Sequence, residues 1–452
     1  MIKKYIKVKN ALKTIYEHKT CEKTSWNGRC NMKLSRAEIR NFRGIEEWNI
    51  TFKPGFNLIK GVNGKGKTSV LEAIAVGLGG FLAGLDDVVT RHFSKDEIRQ
   101  VYTTVGDGSY DKKIVVPTEV YLEAEVDGEH FEWMRGRKDI KTSRSTIQPR
   151  DICQKAGLMA NEENKEMPIL AYLGAGRVWS QRREKVENIF RKQYFRTVGY
   201  TDALHDASNI KLLLNWCVKM EQVAWQKEKK IAEYEAVKKA VSDFMQYMEP
   251  GANCRVFYDK QQEELMYERG NEVLPVMSLS AGYQSLVWMV FDIAYRMAVL
   301  NPFMKENIAV TSGIVLIDEI DMHLHPKWQW NIINALQNVF PNVQFIAATH
   351  SPILFASAKD VWLIDVDGDE IEYSRSHYGI DINTSLNTYQ ETIEMPMEVK
   401  EKADAFSDAM DAERYEEALE ILEELEMNTA PTHPLLIQLR TRYDFETALG
   451  EI

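Results

Sequence analysis

Residues 33–60 alternate between apolar and polar positions, as strands with one buried face do: KLSRAEIRNF, then WNITF, then the apolar FNLI that runs into a glycine-rich turn. Beyond the turn, Val70, Leu71, Ile74, Ala75 and Leu78 share one face, which predicts a helix from Ser69 to Leu78. A second alternating run, VYLEAEV-DG-EHFEWM within 114–135, predicts a hairpin turning at Asp127-Gly128. Residues 145–168 are polar, and PILAYLGAGR then predicts a buried strand ending in a second glycine-rich turn. Residues 203–248 read as helical and are stopped by Glu249-Pro250-Gly251.

CRVFYD and EELMYE predict a further hairpin, and a helix is expected from Ala281 to about Leu300. Two continuous apolar runs, GIVLID (313–318) and VQFIAAT (343–349), flank a helical segment at 326–339. Apolar strands alternating with helices belong to a sheet covered on both faces. A last hairpin is expected at Asp367-Gly368, and from 391 the chain reads as helical and acidic.

Length and charge sharpen this picture. The 452 residues have a net charge of −11, unevenly spread. Residues 391–452 hold seventeen acids against five bases, and residues 1–30 hold eight bases against two acids, so the stretch between is close to neutral at −5. No run approaches the roughly 18 apolar residues of a membrane helix. The five cysteines are scattered, with no pair spaced for zinc. A cytoplasmic protein with no membrane partner is expected. Residues 1–31 read as a basic leader, expected to be disordered, ahead of a second methionine, Met32.

Gly61-Val62-Asn63-Gly64-Lys65-Gly66-Lys67-Thr68 fits G-x-x-x-x-G-K-[ST] at every fixed position, after an apolar strand and before a helix. Glycines let successive N–H groups turn onto phosphates at the positive end of the helix; the lysine reaches the β- and γ-phosphates and the threonine hydroxyl takes Mg²⁺. The strand 313–317 ends in Asp318-Glu319, a metal-holding acid followed by one able to accept a proton from the attacking water. His350 ends the neighbouring strand, at the sheet edge where ligands bind in open α/β folds, and is expected to contact the γ-phosphate. Ser280 opens the helix 281–300, where it suits an N-cap or, with the free N–H groups, a phosphate.

These four pieces in this order resemble the ATP-binding-cassette class of P-loop ATPases: Walker A at 61–68, signature at 279–284, Walker B at 313–319 and switch histidine at 350. NFRG at 41–44 and DEIDMHLHP at 318–326 resemble the RecF, SMC and OLD-like branch, and the likeness covers 32–385. AYLGAGRVW, LSAGYQS and YGIDINTSL resemble the ATPase subunit of Septu-type antiphage systems (PtuA) and retron-associated ATPases. The resemblance implies an α/β ATPase head with a mixed sheet and an antiparallel subdomain. It is divided into lobe I (32–202), a short helical insertion (203–250), lobe II (251–390) and an acidic helical C-terminal subdomain (391–452).

It implies ATP and Mg²⁺ as cofactors. Asn63, Gly64, Lys65, Gly66, Lys67, Thr68 and Ser69 would hold the nucleotide, Thr68 and Asp318 the metal, and Glu319 would act as base with His350. Two copies would sandwich ATP head to tail, so that Ser280 and Gly282 of one copy contact the γ-phosphate on the other and Asp321 lines the interface. The chain departs from the pattern at Ala281, Tyr283 and Gln284, and no Q-loop glutamine is evident.

The reading is an ATPase controlling an HNH nuclease partner in phage defence. A RecF-like repair ATPase acting directly on DNA is the alternative; a transporter subunit fits poorly with NFRG and the insertion. No nuclease site is expected on the chain itself. Arg177, Arg182, Arg183, Arg191 and Lys192, interleaved with Trp179, Phe190, Tyr194 and Phe195, are candidate contacts to DNA or RNA; a solvated helix with its aromatics turned inward would show the same pattern. His323 and His325 are expected to pack or hydrogen-bond rather than ligate metal, and Asp365-x-Asp367-Gly368 is read as a hairpin turn.

Overall fold

The computed structural model describes residues 30–105, 109–142, 144–178, 195–206, 209–368, 370–376, 378–379, 397–428 and 434–450. The leader expected at 1–31 lies outside these residues except for its last two.

β1 (Met32–Phe42) pairs with β2 (Ile45–Thr51), and the chain then leaves this sheet through β3 (Phe56–Lys60) and α1 (Lys67–Leu82). β4 (Gln100–Thr104) and β5 (Tyr110–Ile114), which the apolar pattern did not reveal, pair with each other as an exposed ribbon. β6 (Thr118–Val126), β7 (Glu129–Arg137) and β8 (Thr146–Gln148) complete an antiparallel sheet of order β2-β1-β6-β7-β8. The β6–β7 hairpin turns at Asp127-Gly128 with both φ positive, as the sequence predicts. The polar stretch 145–168 contains β8 and a helix, α2 (Asp151–Asn161).

β9 (Ile169–Leu173) is the edge of the second sheet. Two helices follow, α3 (Ile210–Gln226) and α4 (Ala232–Met248), then β10 (Cys254–Asp259), β11 (Glu264–Arg269) and β12 (Glu272–Pro275). The expected hairpin is thus a three-stranded sheet. α5 (Ala281–Leu300), β13 (Gly313–Ile317), α6 (Pro326–Gln329), α7 (Ile332–Val339), β14 (Val343–Ala348), α8 (Pro352–Ala356), β15 (Val361–Asp365) and β16 (Glu372–Arg375) complete the head. The central sheet has the order β16-β15-β3-β14-β13-β9, parallel except for β16.

The apolar strands are explained by burial on both faces. Ile314 and Leu316 of β13 join Ile59, Ile346 and Ile364 in one core with α1 and the antiparallel sheet. Val315 and Ile317 join Leu58, Phe345 and Leu363 in a second core with α4, α5 and the three-stranded sheet. The segment read as an insertion therefore contributes Tyr234, Val237, Val241 and Phe244 to a shared core.

α1 is buried nearly all round because it lies between two sheets. Trp133 donates from Nε1 to the Gly77 carbonyl at 2.8 Å, and a Cβ at Gly80 would lie 2.5 Å from that nitrogen. Glycine there lets the sheet approach the helix and fixes where its N-terminus points.

α9 (Met397–Asp411), α10 (Tyr415–Asn428) and α11 (Pro434–Gly450) enclose a third core, with Phe406, Met410, Leu422, Leu425 and Leu439 inside. No helix among the described residues is long and apolar enough to cross a membrane.

Candidate functional site

The loop between β3 and α1 carries the glycines its geometry needs. Gly64 and Gly66 have φ of +85° and +91°, and Gly66 occupies the N-cap of α1 with no side chain to block the helix end. Lys67 is buried and folded back on its own loop, donating from Nζ to the Gly61 carbonyl at 2.6 Å and the Val62 carbonyl at 3.0 Å. Its Nζ also lies 3.3 Å from Nδ1 of His350. An ammonium donor there leaves the imidazole neutral, with its proton on Nε2.

Asp318, at the end of β13, is buried and accepts from the Thr68 hydroxyl, with Oδ2 at 2.9 Å and Oδ1 at 3.2 Å. A hydroxyl and a buried carboxylate side by side are hard oxygen donors of the kind Mg²⁺ takes, and these two residues fit that ion. Glu319 follows in the left-handed region, φ +43°, a conformation that costs a non-glycine residue about 1 kcal/mol or more. Asp321 accepts a hydrogen bond from the Thr349 hydroxyl, which ties the Asp318–Leu324 loop to the segment bearing His350.

Burial pushes the Lys67 ammonium below its ordinary pKa, against the pull of Asp367, Asp318, Glu319 and Asp321. Burial and the Lys67 charge likewise hold His350 below the usual imidazole value. The groups lie together beyond the carboxyl ends of β3, β13 and β14.

The signature segment lies on the other side of the sheet, since α1 and α5 cover opposite faces. Ser280 is exposed at the N-cap of α5, but its hydroxyl makes no capping bond. Gly282 is buried against the Asp318–Leu324 loop: a Cβ there would lie 2.6 Å from the His323 carbonyl and 3.2 Å from Trp328.

Three site neighbours escaped the sequence reading. Asp367, assigned only to a turn, accepts from the Val62 N–H at 2.5 Å, and its carbonyl accepts from Lys65 Nζ at 2.9 Å. Arg43 of the NFRG stretch reaches both oxygens of Glu72 on α1, at 2.9 and 2.8 Å. Glu72 itself is pushed up to about 7, by burial above all and against the pull of Arg43 and Arg91. The only hint was NFRG itself, since its partners are distant in sequence.

His325 accepts from the Lys327 N–H at 3.2 Å, and among the described residues no group of His, Cys, Asp and Glu is arranged to hold a metal by itself. Arg177 lies in the 3-10 turn Ala175–Val178, while Arg182, Arg183, Arg191 and Lys192 lie outside the described residues.

A family model described as an AAA domain matches residues 36–249, and one described as an AAA ATPase domain matches residues 177–355. Retron Vc95 probable ATPase of Vibrio cholerae serotype O1 biovar El Tor is 42% identical over 123 residues, 27% of this chain and 22% of that protein. Retron Ec83 probable ATPase of Escherichia coli is 33% identical over 183 residues, 39% of this chain and 33% of that protein. Septu protein PtuA of Bacillus mycoides (strain KBAB4) is 26% identical over 331 residues, 71% of this chain and 38% of that protein. The matched part thus spans between 22% and 38% of these curated relatives. Motifs and matches together support an ATPase of the RecF, SMC and OLD-like branch, similar to these retron and Septu proteins.

Proposed function

We propose that the chain binds ATP with Mg²⁺ on the Gly61–Thr68 loop and hydrolyses it between two copies arranged head to tail. Its nucleotide state would control a partner effector, an HNH-type nuclease, in antiphage defence. The observation that carries the reading is that Lys67 lies beside His350 and Thr68 beside Asp318, which brings the ends of three strands together around the glycine-rich loop.

In this reading Asn63 to Ser69 cradle the phosphates. Thr68 and Asp318 would hold Mg²⁺, which when bound would supply positive charge against the phosphates. Lys67 exchanges the Gly61 and Val62 carbonyls for phosphate oxygens, a stronger charge-assisted bond. Glu319 takes a proton from the water attacking the γ-phosphorus, the bond to the bridging oxygen breaks, and ADP keeps that oxygen. His350 donates from Nε2 to the γ-phosphate.

Ser280 and Gly282 serve the nucleotide of the other copy, which suits their place on the face of the sheet opposite α1. ATP binding then draws two copies together and hydrolysis releases them. The likeness to the retron and Septu proteins supports the defence role. The 397–450 helices, with a core of their own, offer an acidic surface for the nuclease.

Glu319→Gln tests this. Removing the base should cut turnover by about 10²–10⁴-fold. With ATP and Mg²⁺ the variant should accumulate as a larger assembly that co-purifies with the effector, read by light scattering and mass spectrometry. Wild-type turnover in this variant, or an unchanged mass with ATP, would refute the reading.

A further inference from the structure

The chain departs from the usual signature pattern at Tyr283 and Gln284, and the structure gives both a use. Tyr283 follows Gly282 on the first turn of α5 and is wedged among three elements. Its ring meets Trp328 of α6 edge-on, with centroids 4.6 Å apart at 83°, and lies 5.9 Å from Tyr267 of β11. Its hydroxyl donates to Oε1 of Glu249 at 2.5 Å and accepts from NH1 of Arg269 at 3.2 Å. Arg269 Nε is in turn 3.1 Å from Oε2 of Glu249, which closes a three-membered fork.

The placement of Glu249 is costly on its own. It is the C-cap of α4, where the helix dipole opposes a negative charge, and its side chain is largely buried. Tyr283 offsets that cost with a hydrogen bond to one oxygen, and the Arg269 guanidinium with an ion pair beside the other. Burial and Glu249 together push the Tyr283 hydroxyl up to about 12, so it stays a donor at every working pH. Gln284 adds a second tie, donating from Nε2 to the carbonyls of Met277 at 2.9 Å and Leu279 at 2.7 Å, just ahead of Ser280.

On the other flank the Asp318–Leu324 loop is fastened too. Gln329 donates to the Leu324 carbonyl at 3.1 Å and accepts from the Ser351 hydroxyl at 2.6 Å, while Thr349 holds Asp321. The signature turn is thereby pressed onto the loop that follows the catalytic acids, with Gly282 against His323 as the contact.

We infer that Tyr283 is a positioning residue: through the Glu249–Arg269 fork and Trp328 it sets the Ser280–Gly282 turn at the angle at which it meets the nucleotide of a second copy. The inference rests on the head-to-tail reading above and adds a determinant remote from the chain's own phosphate loop.

Tyr283→Phe keeps the ring and its packing and removes only the hydroxyl. In the Glu319→Gln background with ATP and Mg²⁺, the added change should weaken self-association about tenfold, as expected for one hydrogen bond to a charged acceptor. Binding of a fluorescent ATP analogue to the separated chain should stay within about twofold of wild type. Glu249→Gln should weaken association similarly, and the double variant should be no worse than either single, because both break one fork. Unchanged association in Tyr283→Phe would overturn the inference while leaving the sandwich intact. Equal loss of nucleotide binding would overturn it in favour of a general structural role. If Glu319→Gln alone fails to associate, the head-to-tail reading fails and takes this inference with it.

Discussion

At the Gly61–Thr68 loop, Lys67 and Asp318 are buried and their charged groups are engaged within the same chain, by loop carbonyls, His350 and Thr68. At the signature, Ser280 is exposed, its hydroxyl is not used as a cap, and the order lies behind it, in Tyr283, Gln284 and Trp328. One region is a receptacle assembled from three strand ends. The other is a projecting turn braced from the rear. The contrast fits the proposed site shared between copies, in which the turn of one copy meets the loop of the other.

The sharpest way to break the contrast is Gly282→Ala. The new Cβ would lie 2.6 Å from the His323 carbonyl, too close for either backbone to stay in place. ATP turnover is expected to fall by about 10-fold or more, while nucleotide affinity stays within about twofold. A parallel loss of affinity, measured by titration with a fluorescent ATP analogue, would mean that the two regions are not separable.

The receptacle has a weakness that the projecting turn lacks. Glu72, packed under the phosphate loop on α1, titrates at about 7 rather than its ordinary 4.5. A carboxyl whose pKa is raised by folding stabilises the native state fully below about pH 4.5, and that contribution is lost as pH rises through about 7. Glu72→Gln stays neutral throughout. Its stability relative to wild type should therefore improve between pH 5 and pH 8, by on the order of 2 kcal/mol. Urea unfolding at four pH values measures this; a flat difference would show that Arg43 and Arg91 already hold the carboxylate ionised.

Much of this was legible in the sequence, for a physical reason. The phosphate loop, the strand with Asp318-Glu319 and the strand ending at His350 are each set by local chemistry: glycines at positive φ, unbroken apolar runs, acids at a strand end. The β6–β7 hairpin was legible because Asp127-Gly128 fits its turn. What was hidden depends on distant partners or on surface position. The β4–β5 ribbon is exposed on both faces and has no apolar alternation to betray it. α2 sits in a stretch whose buried residues, Ile152, Cys153, Ala156 and Met159, are too few to stand out among polar ones. Asp367 and Glu249 act across about 300 and 34 residues of sequence, respectively, and only the fold reveals such pairs. Of the five bases proposed for nucleic acid, the structure describes only Arg177.

The smallest effect concerns the 3.3 Å approach of Lys67 to His350, which makes the histidine a reporter on the receptacle. Burial is the larger cause of its lowered pKa and the Lys67 charge the next, so the imidazole is neutral at pH 7. Lys67→Met removes the positive neighbour but not the burial. The His350 titration, followed by NMR of the ring protons, should therefore move up towards 6.5 without reaching it. In the wild type, a bound γ-phosphate should move it the same way, because negative charge favours the imidazolium. Tyr283→Phe, on the far side of the sheet, should leave the curve where it is. A shift there would mean that the brace and the receptacle communicate within one chain, and the division between them would need to be redrawn.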